Sequence, residues 1–502
     1  MGMVPHAPAK RFELAGRGDG KHIIILGAGL AGMTSAWEMQ QLGYKVTILE
    51  ARERTGGRVW TVRGGDNETE IDGVKQTCQF DSGQYLNAGA ARIPHHHELT
   101  LHYCKQLGVK LEVYNNINES GYFYSQSDNG KLANSRIRIR ELHNDMRGYV
   151  GELLHKAVDT DSLDLPFTKE DKEKFLEYLS IEGDLDTSKL YTSTSRRGYK
   201  SYPGAGERKG EESDAYELLD LIRSGYLDPS FSNLPDYDLN LQQTLFQPVG
   251  GMDRISQALE QQVSESLIKE AEVVRITNKE NQVSIAYNKE GKEQEIQGDY
   301  CICTLPLPVL SGVNSNFSAN VLRAIDFVPY NKTGKIGLQF KRRFWEEDDA
   351  IYGGISRTNM DLTQIFYPNC DYMSAKGVLV GYYNFGKRAV KLANMSLQDR
   401  EKTALDQGRL IHPQYDEAFE NSFSLAWHKT KYTEGGWAQY NQASRSRFYP
   451  ELIKPDGRVY FAGEHTTYLT AWMAGAFESA RRTVDMIHAR VNETESQYDT
   501  KK

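Results

Sequence analysis

The chain is poor in cysteine: Cys78, Cys104, Cys301, Cys303 and Cys370 are the only five among 502 residues. Their number is odd and none forms a CxxC pair, so neither a disulfide scaffold nor a cysteine zinc site is indicated. Long apolar runs are missing as well. No segment approaches the roughly 18 uninterrupted apolar residues of a membrane-spanning helix. Residues 1–20 hold no apolar run long enough for a secretion leader. A cytoplasmic protein without a membrane partner is therefore expected, unless a leader has been trimmed. Long basic runs are absent too, and the formal net charge of −8 argues against a nucleic-acid partner. His95, His96 and His97 cannot all face one ion, and no carboxylate or cysteine cluster joins them. They read as a helix start on the surface, with no metal site.

What is present is an ordinary globular composition, 39% apolar and 25% charged, long enough for two or three domains. The most informative stretch runs from Lys21 to Arg58. His22-Ile23-Ile24-Ile25-Leu26 is a short apolar, β-branched run suited to a buried parallel strand. Gly27-Ala28-Gly29-Leu30-Ala31-Gly32 follows directly, then a helix with Leu30, Met33 and Trp37 on one face, closed by Gly43. Lys45 to Leu49 is a second strand, ended by Glu50. Gly27 allows the tight turn, Gly29 lets a pyrophosphate approach the backbone, and Gly32 lets helix and strand pack closely. The helix N-terminus offers unpaired N–H groups to phosphates. Glu50 arrives about 20 residues after the turn, where a carboxylate receives a ribose diol. A lone glycine motif is weak, but this one has the strand, the helix and the acid in place.

Past Glu50 the chain reads Ala51-Arg52-Glu53-Arg54-Thr55-Gly56-Gly57-Arg58. GAGLAG followed by LEARERTGGRVWT resembles the opening of the flavin-dependent amine oxidase family. The resemblance resumes at Gly250-Gly251-Met252 and closes on Phe461-Ala462-Gly463-Glu464-His465-Thr466 with Ala471-Trp472-Met473-Ala474. It covers nearly the whole length and is weakest between 120 and 235. It implies FAD, gripped by Gly27, Gly29, Gly32 and Glu50, with Ala51, Arg52, Gly57 and Arg58 alongside. Val274 would pass the adenine end. Ala91 and Arg92 would lie against the ring, Glu464 on the phosphate–ribityl arm, and Trp472, Met473 and Ala474 at the ring's edge. No cysteine stands near Trp472, so the FAD is expected to be non-covalent.

Lys335 matches the lysine that the family places beside flavin N5, although spacing alone would leave it a strand lysine facing solvent. Arg92, Tyr382 and Trp472 match the positions where the L-amino-acid oxidases of this family hold substrate. The resemblance makes Arg92 the fork for the carboxylate, Tyr382 a hydroxyl donor and Trp472 a stacking plane near the amine. From the residues alone, Arg92 among small and apolar neighbours needs a partner. That partner is either a structural carboxylate or a substrate one. The implied activity is oxidation of an L-amino acid by hydride transfer from Cα, with dioxygen as acceptor, yielding 2-oxo acid, ammonia and hydrogen peroxide. An amine or polyamine oxidase, an amino-acid 2-monooxygenase and a non-catalytic FAD-binding scaffold remain as alternatives. The pocket is expected to favour large uncharged side chains, and the protein to form a homodimer.

The expected fold is α/β. A Rossmann-like FAD-binding domain is assembled from 1–110, 240–330 and 431–502. A mixed-sheet substrate domain spans 332–430 with part of 60–120, and a helical subdomain spans 120–235. Within the last, helices are read over Arg136 to Val158, Thr168 to Ser180 and Glu211 to Ser224. Thr168 and Asp171 form a capping pair there.

Overall fold

The computed structural model describes residues 12–229, 231 and 238–499, with the side chains of the last helix described to 493. The readings of residues 1–11, and of 230 and 232–235 at the end of the helical segment, fall outside the described residues. At the base lies a five-stranded sheet, ordered Leu267–Ile268, Lys45–Leu49, His22–Leu26, Tyr300–Cys303, Val459–Phe461. Every pairing in it is parallel. Ile23, Ile24, Ile25 and Leu26 have no exposure at all, because both faces of the sheet are covered. The pleat sends Ile23 and Ile25 into one core and Ile24 and Leu26 into the other. Each side chain contributes about 1.5–3 kcal/mol on burial. The first core is roofed by helices Leu30–Gln41, Arg254–Val263 and Met473–Asp499. The second is covered by a four-stranded sheet built around the antiparallel pair Glu272–Asn278 and Val283–Lys289.

Above it stands a seven-stranded mixed sheet. Its order is Arg136–Arg138, Tyr122–Tyr124, Ile355–Thr358, Gln364–Phe366, Gly377–Phe385, Thr333–Phe340, Phe419–Ala426. The strand Thr333–Phe340 is buried at all eight positions, since it is covered on both faces.

The segment from 120 to 235 departs from a purely helical reading. Tyr122–Tyr124 and Arg136–Arg138 pair with each other and extend the mixed sheet. The first helix accordingly begins at Ile139 rather than Arg136 and runs to Asp159. Glu211–Glu212 is a short strand against Tyr199–Ser201, and only Leu218–Arg223 is helical there. The helix Lys169–Glu182 does open with the capping box of Thr168 and Asp171. Within the mixed-sheet segment, Arg343 leads into the short helix Phe344–Glu347, whose rings fill the core behind the sheet.

Candidate active site

One cavity of about 900 Å³ runs from the glycine turn of the parallel sheet to the face of the mixed sheet. At its inner end the wall is mostly backbone. Gly27 turns out of the strand at a φ of +97°, a conformation that favours glycine. A Cβ on Gly32 would stand 1.9 Å from the Gly27 carbonyl oxygen, whereas one on Gly29 would meet nothing within 4 Å. Gly32 therefore lies behind the cavity and serves packing. Gly27 and Gly29 line it.

Glu50 is buried. Its Oε2 accepts from the Ala28 N–H at 2.7 Å and its Oε1 from the Arg52 N–H at 2.9 Å. Each oxygen keeps a further lone pair for a hydroxyl. Ala51, Arg52, Gly57, Arg58 and Val274 line the same stretch. Arg52 donates to Thr433 Oγ1 at 2.6 Å and to the Lys431 carbonyl. Arg58 donates to Glu464 Oε1 at 2.7 Å and to the Gly436 carbonyl at 2.8 Å. Glu464 also accepts from the Ala438 and Ala471 N–H groups, at 3.2 and 3.3 Å. Met473 opens the last helix at the cavity wall, where first-turn N–H groups have no intrahelical acceptor. Ala474, expected at the ring's edge, is instead buried within that turn and does not reach the wall.

The outer end is built from side chains. Lys335 sits on the strand Thr333–Phe340 with 3% exposure, so it does not face solvent. Its Nζ donates to the carbonyls of Gly89 (2.7 Å) and Asn87 (3.0 Å) and lies 4.6 Å from the Tyr383 ring centroid. Burial, with the nearby Arg92 charge, pulls the ammonium down to about 7. Ala91 and Arg92 line the cavity. The Arg92 guanidinium lies 5.9 Å from the Phe366 ring and beside the Tyr114 hydroxyl. Its Nε is buried with no hydrogen-bond partner, and among the described residues no carboxylate pairs with it. Trp472 lines the cavity and stands edge-on to His97, centroids 5.0 Å apart.

This layout suits a dinucleotide with a flat ring. The turn at Gly29 would receive the phosphates, Glu50 a ribose diol and Arg58 the pyrophosphate arm, with room for the ring near Lys335 and Trp472. The comparisons agree. The model of the flavin containing amine oxidoreductases matches residues 30–488. This chain belongs to that family. An L-amino-acid oxidase of Bothrops jararacussu is 28% identical over 508 residues, covering 93% of this chain and 90% of its own. A putrescine oxidase structure superposes with a TM-score of 0.63 at 16% identity, over 94% of this chain and 99% of its own. The cyclohexylamine oxidase of Brevibacterium oxydans gives 0.62 at 16%, over 94% and 100%. This member of the family is an oxidoreductase acting on CH–NH2 groups, with FAD as its cofactor.

Two further readings of this amine oxidoreductase need correction. Tyr382 is absent from the cavity wall, and Tyr383 takes its place. The pairs Thr333↔Phe385 and Lys335↔Tyr383 face the cavity, whereas Ile336↔Tyr382 faces the opposite core. Tyr382 is 2% exposed and its hydroxyl bonds Ser424. The pleat phase is set by a register shift between Ile336 and Gly337, which no local pattern announces. The histidine triplet does start a helix, Glu98–Gln106, but His97 is buried rather than on the surface. Its Nε2 meets Asn240 Oδ1 at 3.0 Å, and burial pushes its ring down to about 4. No group of three metal-ligating side chains occurs among the described residues. No described helix is long and apolar enough to cross a membrane. Asn116, Arg357, Gln364 and Arg388 also line the cavity. They come from segments far from Arg92 in sequence, and no motif marks them.

Proposed function

We propose that this enzyme oxidises the α-amino group of L-amino acids to 2-oxo acids, releasing ammonia and hydrogen peroxide, with dioxygen as acceptor. The observation that carries the reading is the Arg92 guanidinium. It stands in the cavity wall without a carboxylate partner and with a buried, unsatisfied Nε. A half-buried cation with no carboxylate beside it is incompletely satisfied, and a substrate carboxylate completes it with a two-point, charge-assisted fork. The name of the Bothrops relative supports the same substrate class.

FAD bound in this groove supplies hydride acceptance from Cα and onward electron transfer to dioxygen. The chain supplies position. Arg92 holds the carboxylate and fixes the direction of Cα. Trp472 and Tyr383, rather than Tyr382, bracket the amine side. Lys335 Nζ, anchored on two carbonyls, carries a proton that it holds or releases near neutral pH. The ring contacts Phe366–Tyr383 (5.7 Å), Tyr383–Phe385 (4.5 Å) and Phe385–Trp437 (5.9 Å) form a wall that excludes water. No cysteine lines this cavity, which supports non-covalent cofactor binding.

Peroxide release from the purified yellow enzyme, with leucine, phenylalanine and glutamate beside spermine and benzylamine, tests the reading. Turnover confined to the amino acids, with 2-oxo acid as product, is expected. Turnover of the amines alone makes the protein an amine oxidase. An amide product makes it a monooxygenase.

A further inference from the structure

Side-chain selection is decided by what the wall offers beyond Arg92. Next to Arg92 that wall is Phe366. Two residues back along the same strand stands Gln364, about 7 Å further out at the usual strand rise. It pairs in register with Arg357, and both line the cavity. Arg388, in the helix Gly386–Ala393, reaches the same region half-buried. Its Nη2 donates to the Asn359 carbonyl at 2.6 Å, and among the described residues no carboxylate pairs with it. Asn116 is 2% exposed and lines the cavity with neither amide atom hydrogen-bonded. Asp238 lines it too, but its Oδ1 already accepts from the backbone and side-chain N–H groups of Asn240.

A large apolar side chain would press against these polar groups and leave them desolvated. Each buried donor so stranded costs affinity. A carboxylate satisfies several at once.

We propose that the outer end of the cavity, centred on Arg388, Gln364 and Asn116, receives a second carboxylate, so that the substrates are dicarboxylic L-amino acids of glutamate length. This rests on the reading that Arg92 grips an α-carboxylate. The offset of about 7 Å between Phe366 and Gln364 is closer to the reach of a two-methylene side chain than to that of a one-methylene chain. Arg357 lies beside Gln364 and adds positive potential to the same wall.

The test compares L-glutamate with L-glutamine, which differ by the charge and little else, on the FAD-loaded enzyme. A kcat/KM ratio of about tenfold or more in favour of glutamate, carried by KM, is expected from one charged hydrogen bond. Arg388→Gln should bring the ratio to about one, and Arg388→Lys should retain part of it. Glutamine turned over as well as glutamate by the wild type overturns the proposal. If the variants do not fold, competitive inhibition of the wild type replaces them. Glutarate should inhibit about tenfold more tightly than butyrate, and equal inhibition overturns the proposal. Peroxide from benzylamine but from no amino acid would instead bring down the underlying reading, and this one with it.

Discussion

The two ends of the cavity are made in different ways. At the nucleotide end, Glu50, Arg58 and Glu464 are each held by neighbours within the chain. The contour there is backbone, shaped by the glycine turn. At the substrate end the wall is side chain on a pleated sheet, and Arg92 Nε and Asn116 stay unsatisfied. A site that is complete in itself holds its cofactor through many turnovers. A site with polar groups left open waits for a ligand that comes and goes.

Five substitutions probe that contrast. The largest effect is expected from Gly32→Ala, because the new Cβ would collide with the Gly27 carbonyl at 1.9 Å and neither backbone can yield. The flavin-to-protein absorbance ratio should fall towards zero; a fully yellow variant would contradict the packing role.

Arg92→Ala should leave the flavin bound yet lower kcat/KM for amino acids by about 10²-fold or more. Wild-type turnover in that variant would remove the substrate assignment.

Lys335→Met should slow the dioxygen reaction by about tenfold to 10²-fold, measured by stopped-flow reoxidation. The lysine is cationic below about 7 and loses its charge as pH rises through that value. In the wild type the rate should therefore fall across neutral pH, and in the variant that inflection should vanish. Stability carries the opposite sign. The unfolded chain holds the extra proton between about 7 and the ordinary lysine value of 10.5, so this group's penalty is full below 7 and is relieved as pH rises.

The smallest effect separates two neighbours. Tyr383→Phe should raise KM about fivefold through one lost hydrogen bond. Tyr382→Phe should alter stability by about 1 kcal/mol with little kinetic change. The reverse outcome would put the cavity face on the other phase of the pleat.

Legibility in the sequence followed the same divide. The run from His22 to Glu50 could be read because each part has a local signature: a β-branched strand, a glycine spacing, an acid at a fixed distance. Val274, Glu464 and Met473 followed from a family pattern that spans the chain, and all three line the cavity. Tyr382 was misplaced because a bulge, invisible in the residue pattern, decides which of two adjacent tyrosines faces in. Arg136–Arg138 read as helix because a true helix begins one residue later, at Ile139. Asn116, Gln364 and Arg388 could not be assembled beforehand, since only the fold brings a loop, a hairpin strand and a helix N-terminus onto one wall.

The cavity joins segments that are distant along the chain: the glycine turn begins at Gly27, and the opposing wall closes only with Trp472 and Met473. A ribosome emitting this polypeptide completes the glycine turn long before the C-terminal helix that packs over it. Cofactor capture therefore waits until the segment carrying Trp472 and Met473 has been synthesised.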